Sequence, residues 1–145
     1  DREFIMRIQE CLEGAESAYS QYKLRRATHV LMELAQFGNG YFDKKTPWKD
    51  AKSAETRGRM DTTIACCLEC LKALALIASP IIPTTAQKIW EFLGFQTALE
   101  KESWQSVAGS KIPPGQELMK PEVLFKRVED AEIENQLEKL KALVK

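Results

Sequence analysis

Three features of this 145-residue chain predict an all-α fold, a bundle of about five helices. Apolar residues recur at steps of three and four along most of its length, the spacing of one helix face. One run, Ile64 to Ala78, has thirteen apolar residues of fifteen and suits a helix at the centre of a bundle. Glycine and proline clusters divide these patterns at intervals typical of helices.

The first helix follows Phe4, Ile8, Cys11/Leu12, Ala15, Tyr19 and Tyr22. The second follows Leu24, Ala27, Leu31, Leu34, Ala35, Gly38 and Tyr41, weakens at Gly38-Asn39-Gly40, and must stop before Pro47, because proline excludes the helical region for the residue ahead of it. Thr46-Pro47-Trp48 then reads as a turn, and a polar stretch continues to about Arg59. The third helix places Met60, Ile64, Cys67, Leu71, Leu74 and Ala78 on its core face and breaks at Ser79-Pro80-Ile81-Ile82-Pro83. Thr84 or Thr85 can cap a fourth helix with Ala86, Ile89, Trp90, Phe92 and Leu93 inward and Gly94 as its stop. Ser103 to Lys111 predicts turns and a short helix, Ile112-Pro113-Pro114-Gly115 a turn, and Glu122 to Val128 an extended segment. From Glu129 a charged helix begins, with a narrow stripe of Ile133, Leu137, Leu140 and Val144. The division is a bundle over residues 1–128 and a final helix or linker over 129–145.

Lys plus Arg and Asp plus Glu number 21 each, so net charge points to no class of partner. The longest apolar run carries Glu69 and Lys72 and is too short and too charged to span a membrane. The chain starts at Asp1 and enters a helical pattern at once, as expected of a piece of a longer protein. Cys11, Cys66, Cys67 and Cys70 lack the spacing of a secreted disulfide framework, which suggests a reducing, cytoplasmic compartment.

Cys67-x-x-Cys70 with Cys66 adjacent could form a metal or redox pair, but zinc needs about four Cys or His ligands and the chain holds one histidine, His29. These cysteines read as small core residues. His29 has no matching nucleophile. Glu10, Glu13, Glu16 and Glu33 lack the Glu-x-x-His pairs of a di-iron bundle, and Gly38-x-Gly40 lacks the remainder of a dinucleotide fingerprint. No catalytic residue, metal site or cofactor is therefore assigned.

What remains is Trp48, between lysines and directly after Pro47. From Lys44 to Arg59 stand six basic residues, Lys44, Lys45, Lys49, Lys52, Arg57 and Arg59, and two acidic ones, Asp50 and Glu55. Cations track phosphates while an exposed aromatic stacks on unpaired bases. The same features also suit a protein-interaction module with Trp48 as its anchor.

The order of motifs carries more. Lys23-Leu24-Arg25-Arg26-Ala27, Leu34-Ala35, Asn39-x-Tyr41, Pro47-Trp48, Pro80-x-x-Pro83, Ile89-Trp90, Lys111-Ile112-Pro113 and Leu124-Phe125-x-Arg127-Val128-Glu129 follow one another. This succession closely resembles the anticodon-binding helical domain of methionyl-tRNA synthetases over nearly the whole chain. The resemblance implies a bundle that reads the CAU anticodon of methionine tRNAs. It implies that Trp48 stacks on an anticodon base, that Pro47 sets its direction, and that Asp43 lies near the anticodon loop, where its charge would repel wrong tRNAs. Asn39 matches the family's asparagine, in contact with RNA or holding the turn. In that family an Asn and an Arg on a preceding helix also read the anticodon, and a Rossmann domain with two ATP-binding motifs performs catalysis. Neither resembles any part of this sequence. The resemblance therefore implies a non-catalytic piece whose parent ligase uses ATP, magnesium and methionine. Its partners would be the methionine tRNA and the catalytic domain, with no membrane. Lys44, Lys45, Lys49, Lys52, Arg57 and Arg59 are phosphate-contact candidates from charge alone.

Overall fold

The computed structural model describes residues 1–143, and no strand occurs among them. Seven helices follow in order: α1 (Arg2–Ser20), α2 (Leu24–Lys45), α3 (Pro47–Asp50), α4 (Arg57–Ala78), α5 (Pro83–Phe92), α6 (Trp104–Gly109) and α7 (Asp130–Leu143). Four long helices, α1, α2, α4 and α5, build the bundle, and α4 packs against the other three. The all-α architecture and most boundaries follow the sequence. Two of the seven are short helices of four and six residues.

Helix α1 buries Phe4, Ile8, Cys11, Leu12, Ala15 and Ala18. Tyr22 falls outside this stripe, because α1 ends at Ser20 and the chain turns there with Tyr22 at φ +57°. Phe4 anchors α1 to α2: its ring lies 3.8 Å from that of Tyr41 at 9° and 5.6 Å from that of Phe37. Helix α2 does not weaken at Gly38-Asn39-Gly40 but runs unbroken to Lys45. A mid-helix glycine costs about 1 kcal/mol, yet packing of a long amphipathic helix outweighs it. At Gly38 the bare backbone also permits close approach to α4, since a Cβ there would lie 3.1 Å from Cys70 Sγ.

The register of α4 differs from expectation. Its inward face is Thr63, Cys66, Cys70, Ala73 and Ile77. Ile64 and Leu71 are exposed, and Cys67 and Leu74 are half-buried. So nearly uniform an apolar sequence does not select a face by periodicity. The chain instead turns small residues toward α1 and α2, where helices come close. The start is also earlier than expected, at Arg57.

Lys72 is buried. Its ammonium pairs with Glu69 at 3.0 Å and donates to the Ser110 carbonyl, while Glu69 accepts from the Ile112 amide at 2.7 Å. This trio fastens the chain after α6 onto the middle of α4. Pro83, not a threonine, opens α5, consistent with proline's fit at a first helical position. Gly94 ends this helix region at φ +87°, and a Cβ there would meet the Glu117 carbonyl at 2.1 Å. Trp90 is buried, stacks on Phe95 at 3.8 Å and donates to Thr97 Oγ1 at 3.2 Å.

Residues 110–129 contain neither helix nor strand, and Phe125 is largely exposed. In α7, Ile133, Leu137 and Leu140 are all exposed. Val144, the last member of its predicted stripe, lies outside the described residues.

Candidate nucleic-acid interface

The bend between α2 and α3 is made by Thr46, at φ 48° and ψ 53° in the left-handed region. The following proline disfavours the right-handed helical region for Thr46, so α2 ends here and the chain changes direction. The Thr46 amide donates to Phe42 O at 3.0 Å, closing α2. Pro47, buried, then opens α3 as its first residue. The expected turn is thus a left-handed residue followed by one turn of helix.

This geometry projects Trp48 outward with 48% of its surface exposed. Its ring centroid lies 5.5 Å from that of Phe42 at an interplanar angle of 53°. Phe42 therefore props the indole without covering it, and a broad aromatic face stays wet. Nothing in the sequence pattern singled out Phe42 for this support.

A second fastening comes from Asp50. Its carboxylate is buried and receives both Arg59 Nε at 2.8 Å and Arg59 Nη2. The guanidinium holds the Asp50 carboxyl below the usual carboxylate range, its hydrogen bond being the largest cause. Thr56 Oγ1 donates to the Asp50 carbonyl at 2.6 Å, and Ser53 Oγ accepts from the Glu55 amide at 3.3 Å. The short helix bearing Trp48 is thereby tied to the start of α4.

The cations divide into two groups. Arg59 is engaged by Asp50 and braces the turn, while its side chain stays 64% exposed. Lys45 pairs with Asp1 at 2.5 Å and lies 5.5 Å above the Tyr41 ring, whose hydroxyl also donates to Asp1. Lys44, Lys49, Lys52 and Arg57 are exposed and make no ion pair among the described residues. Asn39 and Asp43 are also exposed, one turn apart near the end of α2. Asn39 thus belongs to a continuous helix and not to a turn of its own. Beside Phe42, a groove of about 270 Å³ is lined by Ala35, Gly38, Cys67, Leu71 and Leu74.

The cysteine cluster does not form a site. All four thiols are free, Cys11, Cys66 and Cys70 are buried, and Cys67 is half-buried rather than on the core face. Burial pushes the Cys70 thiol up to about 12 and raises Cys11 and Cys67 as well, away from thiolate chemistry. Among the described residues no group of three or more His, Cys, Asp or Glu is placed to hold a metal ion. No helix is long and apolar enough to cross a membrane.

The site is thus a braced, half-exposed tryptophan among cations that make no ion pair among the described residues, carried on an all-helical bundle. Residues 1–144 match the family described as the anticodon binding domain of methionyl tRNA ligase, and the chain belongs to that family. It is 52% identical over 143 residues to the methionine--tRNA ligase of Protochlamydia amoebophila (strain UWE25), covering 99% of this chain and 20% of that protein. The methionine--tRNA ligase of Pyrococcus horikoshii is 37% identical over 133 residues, covering 92% of this chain and 17% of its own length. The chain thus spans about a fifth of the length of these relatives. Among solved structures, the free-state methionyl-tRNA synthetase of Mycobacterium tuberculosis superposes with a TM-score of 0.80 at 24% identity, over 89% of this chain and 26% of that one, a likeness of fold. The same enzyme in complex with methionyl-adenylate gives a TM-score of 0.79 at 25% identity, over 88% and 25% of the two chains.

Proposed function

We propose that this domain reads the CAU anticodon of methionine tRNA for a cytoplasmic methionine--tRNA ligase, the enzyme that attaches methionine to its tRNA. The observation that carries the reading is Trp48, half exposed and held from beneath by Phe42 and from behind by Pro47. An anticodon base stacks on the free indole face. Lys44, Lys49, Lys52 and Arg57 hold the flanking phosphates, while Asp43 and Asn39 face the loop from the end of α2. Residues 129–145, which include α7, are a final helix or linker that follows the bundle.

The domain recognises and does not catalyse. ATP and methionine, with magnesium, belong to the ligase's catalytic domain, and no residue here takes a step with them. Binding at Trp48 uses recognition energy far from the reacting atoms to place the acceptor end.

A CAU stem-loop titrated against the chain and against Trp48→Ala tests this. Stacking is worth about 1–3 kcal/mol per base, so the variant should bind roughly 5- to 150-fold more weakly. The parent chain should also prefer CAU to a scrambled loop. Equal binding by both proteins overturns the role of Trp48. Affinity that stays level as salt rises favours a protein partner instead.

A further inference from the structure

The turn between α1 and α2 carries a tyrosine where the backbone favours glycine. Helix α1 closes with a pair of hydrogen bonds, from the Lys23 amide to the Ala18 carbonyl at 2.8 Å and from the Tyr22 amide to the Tyr19 carbonyl at 3.0 Å. Tyr22 is the left-handed residue of that cap, at φ +57°. Glycine usually fills this position, because a side chain there crowds the following carbonyl. Nothing within the domain offsets the strain, since Tyr22 is 91% exposed. A large, rigid side chain with a polar tip, held in a strained and wet position, suits an interface anchor.

The surroundings fit that role. Gly38 of α2 lies against Cys70 of α4, and the residues after α2 are tied through Asp50 to Arg59 at the start of α4, so the two helices run antiparallel. The end of α4 therefore lies beside the end of α1, where the Tyr19 hydroxyl donates to the Ile77 carbonyl at 2.5 Å. Tyr22 and Leu24 from one turn and Ile81 and Ile82 from the next share this end of the bundle, and all four are exposed. Helix α2 has 22 residues, so this end stands ~33 Å from the Trp48 turn at 1.5 Å per residue. No acidic residue occurs from Ser17 to Met32 or from Cys70 to Trp90, whereas Lys23, Arg25 and Arg26 are exposed. The bordering carboxylates are engaged, Glu16 by Gln105, Glu33 by His29 and Glu91 by Gln87, and Glu100 lies beyond Pro80 in the hollow beside α5.

We propose that this end of the bundle seats the catalytic part of the ligase. Tyr22 enters an apolar pocket of that part, flanked by Leu24, Ile81 and Ile82, and Lys23, Arg25 and Arg26 meet carboxylates around its rim. The proposal rests on the ligase reading above. The chain spans about a fifth of the length of its relatives, and an RNA held at Trp48 leaves the opposite end open for the larger body.

Tyr22→Gly separates docking from folding, because glycine suits the left-handed position better than tyrosine does. The isolated chain with this change should keep or raise its melting temperature and bind the CAU stem-loop as the parent chain does. In the full-length ligase the same change should slow tRNA charging on the order of tenfold, the loss expected of an interface anchor. Formation of methionyl-adenylate, followed by ATP–pyrophosphate exchange, should stay level. Nitration of the Tyr22 phenol by tetranitromethane reads the contact directly: fast in the isolated chain, strongly suppressed in the ligase without tRNA. Equal nitration in the two proteins, unchanged charging by Tyr22→Gly, or a lower melting temperature for the isolated variant each overturns the proposal. Protection of Tyr22 that arises only once tRNA is added also overturns it and assigns the surface to RNA. If Tyr22 is protected in the ligase while the stem-loop binds neither protein, the anticodon reading falls and the docking surface stands.

Discussion

Replacing Phe4 with alanine should be among the most damaging single changes in this domain. The ring is 2% exposed and lies between Tyr41, stacked at 3.8 Å, and Phe37 at 5.6 Å. Its neighbours sit on α2, a continuous helix that has no freedom to collapse by itself into the void. A buried Phe→Ala change costs about 3–5 kcal/mol, and a site that relaxes poorly lies at the upper end. The aromatic contacts, worth roughly 0.5–1.5 kcal/mol beyond area, are already contained in that measured range. About 4 kcal/mol is therefore expected in urea unfolding followed by circular dichroism, as a lower midpoint at constant slope. At about 3 °C per kcal/mol for a chain near this size, melting should fall by roughly 12 °C. Phe4→Leu keeps most of the volume and should lose less than half as much. A loss under about 1.5 kcal/mol for the alanine variant, in the range of partly exposed positions, would refute the claim that this stack closes α1 onto α2.

Gly94→Ala meets both a positive φ and the Glu117 carbonyl at 2.1 Å; it should destabilise by more than 1 kcal/mol in the same unfolding assay, whereas Gly58→Ala, with open space around it, should not. Asp50 has its pKa lowered by Arg59, so its contribution is complete above the unfolded carboxylate value near 4 and disappears as pH falls through the lower folded value. Asp50→Asn should therefore lower stability at neutral pH and flatten the loss below about pH 4. With Cys70 near 12 and Cys11 and Cys67 raised, these thiols should react with a disulfide reagent at pH 7 far more slowly than a free cysteine, and unfolding in urea should release them. Lys72→Ala leaves the half-buried Glu69 beside the Ile112 amide without its cation; about 2 kcal/mol should be lost, and proteolysis after Ser110 should accelerate.

The bundle was legible because its helices are separated by strong punctuation: Pro47, Ser79-Pro80 and Gly94 each mark a boundary that the structure keeps. The register of α4 was not, since thirteen apolar residues in fifteen leave its face to be chosen by the fit of small side chains against two neighbouring helices. Gly38-Asn39-Gly40 misled for a related reason, because local propensity yields to long-range packing. At the site, the Pro47-Trp48 pair announced an oriented, wet indole, and the spacing of cations suggested phosphate. What the sequence concealed was which cations are already taken. Arg59 finds Asp50 nine positions away across an irregular link, and Lys45 finds Asp1 from the start of the chain; such pairings depend on how the turn folds, not on any periodic signal.

The bracing of α3 has a kinetic consequence. Asp50 is gripped by Arg59 and Phe42 supports the indole, so Trp48 occupies its outward pose before any ligand arrives. Little ordering entropy is then left to lose at the moment of contact. Loosening this bracing, as Asp50→Asn or Phe42→Ala would, should leave the charge-steered encounter rate nearly unchanged and shorten the residence time of whatever stacks there.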